Sequence, residues 1–278
     1  MSASGSATST PGGNGVAPAE LAADRRAQLG ASGALQRSAD MIVSGLGLLV
    51  VAPLLLATGA LIWAEDRHNP LYIAPRVGRL GRPFRMVKLR SMRVRADRTG
   101  VDSTAKHDPR ITRVGAAVRR LKLDELPQLW NVLRGDMSLV GPRPNVERDV
   151  RLYTAVERHL LDVRPGITDF ASIVFADEGD ILDGAADPDL RYNQVIRPWK
   201  SRLGLHYVAC RTLWLDLRLV LATLVSALSR RSALAWVAGM LAKTGAPPEL
   251  VAVARRDGPL AAAPPPGAAA IVQSRVPS

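Results

Sequence analysis

From Met41 to Ala64 the chain reads "MIVSGLGLLVVAPLLLATGALIWA", 24 residues without a charge. That length clears the roughly 20 apolar residues a bilayer-crossing helix needs, and a run this apolar on every face does not suit a soluble helix. Forty residues precede it and it exceeds an ordinary h-region, which argues against a secretory signal. Two features set it apart from a plain crossing. Pro53, near its middle, lacks an amide donor and kinks or breaks a helix. Both flanks are basic, with Arg25, Arg26 and Arg37 before it and nine Lys or Arg without an acid from Arg67 to Arg95. Positive flanks stay on the cytoplasmic side, so a hairpin that enters and returns satisfies both. Two arms of 11 or 12 residues, at about 1.5 Å per residue, are each roughly 16–18 Å long, about one leaflet. The expectation is a re-entrant, Pro-broken membrane helix over residues 35–66, with an ordinary kinked transmembrane helix as the alternative.

A second apolar region, residues 212–242, is interrupted by Asp216, Arg218, Arg230 and Arg231. Such spacing suits amphipathic helices in the membrane interface, and suits equally a pair of core helices. Residues 1–34 form a leader expected to be disordered, being Ser-, Gly-, Ala- and Pro-rich at its start. Residues 244–278 are an Ala/Pro-rich tail expected to be flexible. The folded body is then residues 67–243, with a small sheet expected around 70–90. The fold class is a helix-rich α+β arrangement in one membrane-anchored domain.

The surplus of 12 positive charges implies an anionic partner: nucleic acid, an anionic membrane surface or phosphorylated substrates. One cysteine, Cys210, excludes an internal disulfide, and four scattered histidines give no zinc spacing. No nucleic-acid motif or interleaved aromatics accompany the basic stretch, so nucleic acid is not an expected partner.

The chemistry concentrates in "LKLDELPQLWNVLRGDMSLVGPRP", residues 121–144. Leu126, Leu129, Trp130 and Leu133 recur at helical spacing, with Gly135 where a C-terminal cap belongs. Pro127 is tolerable only in a first turn, which places Asp124 at or beside the N-cap and Glu125 just inside. Acids there are ordinary helix-start chemistry. They are also a pair that can divide phosphoryl chemistry, one attacking phosphorus and one holding a divalent ion. Lys88, Arg90, Arg119, Arg120 and Arg143 surround them in sequence as phosphate donors, Arg143 on a rigid Pro-flanked turn.

Taken in order, the apolar run, "RVGRLGRPFRMVKLRSM", "HDPRITRVGAAVRRLKLDELPQLWNVLRGDMSLVGPRP" and "VRPGIT" resemble the bacterial sugar transferase family, the monotopic polyprenol-phosphate phosphoglycosyl transferases. The resemblance covers about residues 36–228. It implies transfer of a sugar 1-phosphate from a nucleotide sugar, UDP-linked by expectation, to a membrane polyprenol phosphate, starting a surface glycan or exopolysaccharide. By resemblance Asp124 is the nucleophile and forms a sugar-phosphoryl aspartate. Glu125 binds Mg²⁺, and Lys88, Arg119 and Arg143, with Arg90 in the same basic set, bind phosphates. The partners implied are donor, acceptor and bilayer, with room for a homodimer, at the cytoplasmic face of the bacterial inner membrane. A direct one-step transfer, and a catalytically silent scaffold for envelope-polysaccharide assembly, are the competing readings.

Two departures from the family pattern stand out. Ser-Pro is common at the membrane-helix break, where this chain has Ala52-Pro53. After "RPGIT" many members read Gly-Leu-Ala-Gln-Val, whereas this chain runs on with seven acids and no base from Asp169 to Asp189. That segment is either a solvated loop or a lid over the sugar or nucleotide.

Overall fold

A computed structural model describes residues 18–96, 104–105 and 107–274, with side chains from residue 33. The first element, α1 (Pro18–Asp66), is a 49-residue helix. Residues 1–17 of the expected leader lie outside the described residues, and the part from Pro18 onward is helical rather than disordered. The expected break at Pro53 does not interrupt α1. A proline removes one bond, here to the carbonyl of Leu49, while its fixed φ suits a helix, so the turns on either side continue. Gly33–Asp66 is long and apolar enough to cross a membrane by length and composition. Ile42, Leu46, Leu49, Val50, Leu56 and Leu61 on it are all exposed.

Both ends of this apolar stretch are tied to the same body. Arg37 donates to the carbonyls of Val132 and Leu133 at 2.5 and 2.7 Å, capping α3 (Gln128–Arg134). Asp40 accepts from Leu139 N–H at 3.1 Å. At the far end Glu65 accepts from the amides of Arg113 and Val114, where α2 (Arg113–Arg120) begins. Gly45 and Gly47 face Leu133 and Leu129 of α3, where small residues let the two helices approach.

The expected sheet is an antiparallel hairpin of β1 (Leu71–Val77) and β2 (Pro83–Leu89), in register from Leu71↔Leu89 to Val77↔Pro83. A second, parallel pair was not foreseen: β3 (Ser138–Val140) lies along β4 (Gly166–Thr168). It sets the "GPRP" and "RPGIT" motifs side by side. A Cβ on Gly166 would stand 2.1 Å from the Gly141 amide nitrogen, so no larger residue fits there. Between these strands lies the short α4 (Glu147–Arg151).

The helices α5 (Phe170–Val174), α6 (Glu178–Leu182), α7 (Pro188–Arg191), α8 (Arg197–Cys210), α9 (Leu213–Leu228), α10 (Arg230–Lys243) and α11 (Pro248–Arg255) follow. Phe170, Ile173, Leu203, Tyr207, Leu219, Val237, Leu241 and Leu250 form the main core among them. Residues 212–242 form two helices that both contribute to the main core. α9 turns Leu215, Asp216, Leu219 and Ala222 inward and exposes Leu213, Trp214, Leu217, Leu221, Leu224 and Leu228. α10 buries Ala233, Leu234, Val237 and Leu241 in the core.

The tail expected to be flexible is docked. Leu250 and Ala254 of α11 are buried, and the proline-rich stretch beyond offers its carbonyls to side chains of the body. Trp199 donates to Ala261 O at 2.9 Å, Arg202 to Pro264 O at 2.9 Å, Gln194 to Val272 O at 2.9 Å, and Thr154 to Pro266 O. Prolines lack donors but keep acceptors, and an extended Pro-rich chain presents them outward.

Candidate active site

Asp124 and Glu125 lie in a tight 3-10 turn, Leu123–Glu125, entered through a left-handed Lys122 (φ 58°). They are not at the start of α3 as the sequence suggested; Pro127 holds the N-cap position and α3 begins at Gln128. The reason is local. Proline cannot supply the amide that would bond Leu123 O in an α-helix, so the turn closes instead by Leu126 N–H to Leu123 O at 3.3 Å. The apolar stripe of α3 does not face the core either. Leu129 and Leu133 meet α1, Trp130 is about half exposed, and the buried face is Gln128, Asn131 and Val132. The half-exposed Trp130 thus lies on the helix that directly follows the acid pair.

Two cations converge on Glu125 Oε1: Arg143 Nη2 at 2.6 Å and Lys88 Nζ at 3.5 Å. Lys88 is the next-to-last residue of β2 and Arg143 follows β3, so the hairpin and the parallel pair deliver one charge each. Arg119, in the last turn of α2, is close enough for its charge to act on Asp124. Among the described residues no cation pairs directly with Asp124, which is 8% exposed.

Burial pushes the Asp124 carboxyl above its ordinary value; Glu125's charge adds to this, while Lys88, Arg119 and Arg143 oppose it. Burial also works against the Glu125 charge, yet Arg143 and Lys88 together hold that carboxyl well below the usual range. Burial, helped by the Arg143 charge, brings the Lys88 ammonium down to about 8 against the pull of Glu125 and Asp124. The neighbouring acids thus differ: two cations favour the charged form of Glu125, whereas burial disfavours the charged form of Asp124.

Arg90 does not join them. Its guanidinium grips Asp66 with two bonds of 2.6 Å and donates to Asn69 O at 2.8 Å, fastening the link between α1 and β1. Lys88 and Arg90 would share a face of a longer strand, but β2 ends at Leu89 and the chain turns away between them.

The sequence reading missed Glu178. The acidic segment is not a solvated loop but three short helices, α5 to α7, and Glu178 at the head of α6 places its charge within reach of Arg143. Its signal was the departure from the family pattern after "RPGIT". Among the described residues no cluster of three or more His, Cys, Asp or Glu could hold a metal on its own. The donor set suits Mg²⁺ all the same, since that ion takes one or two carboxylates and fills its shell with water and substrate phosphate. Both cations rest on Glu125 Oε1.

Two adjacent carboxylates, one of them under two converging cations, form the candidate site. The chain belongs to the bacterial sugar transferase family, whose profile matches residues 31–230. It is 34% identical over 197 residues to the UDP-N-acetylgalactosamine-undecaprenyl-phosphate N-acetylgalactosaminephosphotransferase of Aeromonas hydrophila, covering 68% of this chain and 43% of that one. Against the undecaprenyl-phosphate glucose phosphotransferase of Komagataeibacter xylinus it is 36% identical over 205 residues, 71% of this chain and 36% of the relative. Against the UDP-glucose:undecaprenyl-phosphate glucose-1-phosphate transferase of Caulobacter vibrioides it is 35% identical over 203 residues, 71% of each. The chain thus spans less than half the length of the first two relatives.

Proposed function

We propose that this chain transfers a sugar 1-phosphate from a UDP-sugar to a membrane polyprenol phosphate at the cytoplasmic face of the bacterial inner membrane, initiating a surface glycan. The observation that carries this reading is the convergence of Arg143 and Lys88 on Glu125, with buried Asp124 next in the chain. An Asp124 carboxylate oxygen attacks the phosphorus attached to the sugar. The bond from that phosphorus to the bridging oxygen breaks, and UMP leaves with the electron pair. A phosphate oxygen of the polyprenol phosphate then attacks the same phosphorus, and the aspartate carboxylate is released. Lys88, Arg119 and Arg143 bind and orient phosphate oxygens, which is most of what phosphoryl transfer asks of a protein. Glu125 is the residue that would hold Mg²⁺, which when bound neutralises charge on the diphosphate.

The lipid acceptor accounts for the exposed apolar faces of α1 and α9. Anchorage of Arg37 and Asp40 at one end of the run, and of Glu65 and Asp66 at the other, to one body supports a helix whose two ends stay on the same side of the membrane. Exposed Trp63, Trp130 and Trp214 fit the interfacial level of such an anchor.

The test is UMP release by the purified protein with Mg²⁺, polyprenol phosphate and a panel of UDP-sugars, beside Asp124→Ala and Glu125→Ala. Release lost in both variants supports the reading. Mass-spectrometric detection of a phosphosugar on Asp124 without acceptor separates the two-step route from direct transfer. Silence of folded protein across the panel would favour the scaffold.

A further inference from the structure

Arg143 stands between two prolines, and Pro142 and Pro144 bring no amide of their own, so the turn is held largely through its carbonyls. On its N-terminal side Gly141 N–H donates to Thr168 O at 2.9 Å and Pro142 O accepts from Gly166 N–H at 3.1 Å, both bonds to β4. On its C-terminal side Asn145 O accepts from Val77 N–H, the last residue of β1, at 3.0 Å. The turn that carries Arg143 is thus strung between the parallel pair and the hairpin. Asn145 adds a side-chain bond to the second leg: its Nδ2 donates to the Tyr153 hydroxyl at 2.7 Å. Tyr153 is 8% exposed and is itself held. The Arg197 guanidinium lies 5.6 Å from its ring centroid and donates to Leu152 O at 2.8 Å. Arg197 pairs with fully buried Glu157 at 2.7 Å, and Glu157 also accepts from Ser201 Oγ at 2.7 Å and Thr154 N–H at 3.1 Å.

The N-terminal leg of the turn is made by backbone groups alone, whereas the C-terminal leg also depends on one side chain. Arg143 lies two residues from that side chain and has to reach Glu125 at 2.6 Å. A guanidinium is a planar fork, and it meets a carboxylate or phosphate well only when the backbone that carries it is held in place. We propose that Asn145 is the positioning residue for Arg143: tied to Tyr153, it fixes the C-terminal end of the turn and so aims the guanidinium at Glu125 and at the donor's phosphate oxygens. Asn145 acts through Arg143, and the buried Arg197–Glu157 pair keeps Tyr153 from moving with it. The inference rests on the function proposed above, because there the aim of Arg143 bears on turnover.

The experiment uses full-length protein in lipid nanodiscs with Mg²⁺, polyprenol phosphate and the UDP-sugar that the wild type uses best. Asn145→Ala and Tyr153→Phe are each expected to lower kcat/KM for that donor about tenfold per folded molecule, as a misaligned preorganised group does. Combining the two should lose no more than either alone, because both remove one bond, and Asn145→Ala should cost nothing further in an Arg143→Ala background. A purely structural role would leave kcat/KM per folded molecule at the wild-type value, or would add to the Arg143→Ala loss; either result overturns the proposal. Hydrogen exchange on the same variants needs no turnover. The Val77 amide should exchange about tenfold faster in both, with the rest of β1 and β2 as protected as in the wild type. Should the wild type turn over no donor, that failure falls on the proposed reaction, and exchange decides on Asn145. Faster exchange at Val77 then supports the tie, and unchanged exchange overturns it.

Discussion

Arg143 Nη2 donates to Glu125 Oε1 at 2.6 Å, joining a turn that follows β3 to an acid 18 positions earlier. The bond exists because β3 pairs with β4 and fixes the "GPRP" turn. A charge held this way meets phosphate without first having to be ordered.

Arg143→Ala should therefore lower kcat/KM for the donor about 100- to 1,000-fold, the usual effect of losing one preorganised donor. Arg143→Lys should recover only part of it, because a point charge lacks the planar fork. Steady-state UMP release checks both.

Lys88 sets a pH limit. Its ammonium is brought from 10.5 to about 8, so it is charged below that value and neutral above it. In kcat/KM, which reports the free enzyme, donor use should fall as pH rises through about 8, and Lys88→Arg should move that limb upward. The stability effect has the opposite sense. A folded value below the unfolded one means the burial cost is fully present below about 8 and is relieved between about 8 and 10.5.

Arg90 should separate from Arg143 in its consequences. Arg90→Ala leaves Asp66 without its partner and should destabilise the protein by roughly 2–3 kcal/mol, as for a lost hydrogen bond to a charged group. Donor KM of the protein that remains folded should be unchanged. Thermal unfolding paired with kinetics distinguishes this from a phosphate-binding role.

Gly166→Ala forces a Cβ to within 2.1 Å of the Gly141 amide nitrogen. Parting β3 from β4 should cost roughly 3 kcal/mol or more. Arg143 should lose its grip on Glu125 with it, so thermal midpoint and kcat/KM should fall together.

The membrane run can be tested in intact cells. With Cys210 replaced, single cysteines at positions 37 and 67 should show the same accessibility to an impermeant thiol reagent. Opposite accessibility would mean that α1 crosses the bilayer.

Much of the site was legible in the sequence. "LDELPQL" and "GPRP" carry Asp124, Glu125 and Arg143 in a local pattern, and "KL" carries Lys88 at a strand end. The 24-residue apolar run announced itself by composition. Local pattern suffices for these because helix, strand and turn preferences act over a few residues. What the tertiary structure alone decided is which distant groups meet. Lys88 and Arg90 looked equivalent two residues apart; the end of β2 gave one to Glu125 and the other to Asp66. The Ala/Pro-rich tail looked flexible because Ala and Pro dominate its composition, yet its carbonyls are acceptors that Trp199, Arg202 and Gln194 satisfy. The acid-rich segment looked solvated because its bases, Lys200, Arg230 and Arg256, lie tens of residues further along the chain. A charge is read locally as a surface group; only packing, by placing a partner within about 4 Å in a medium of low dielectric, turns it into a fixed part of a site.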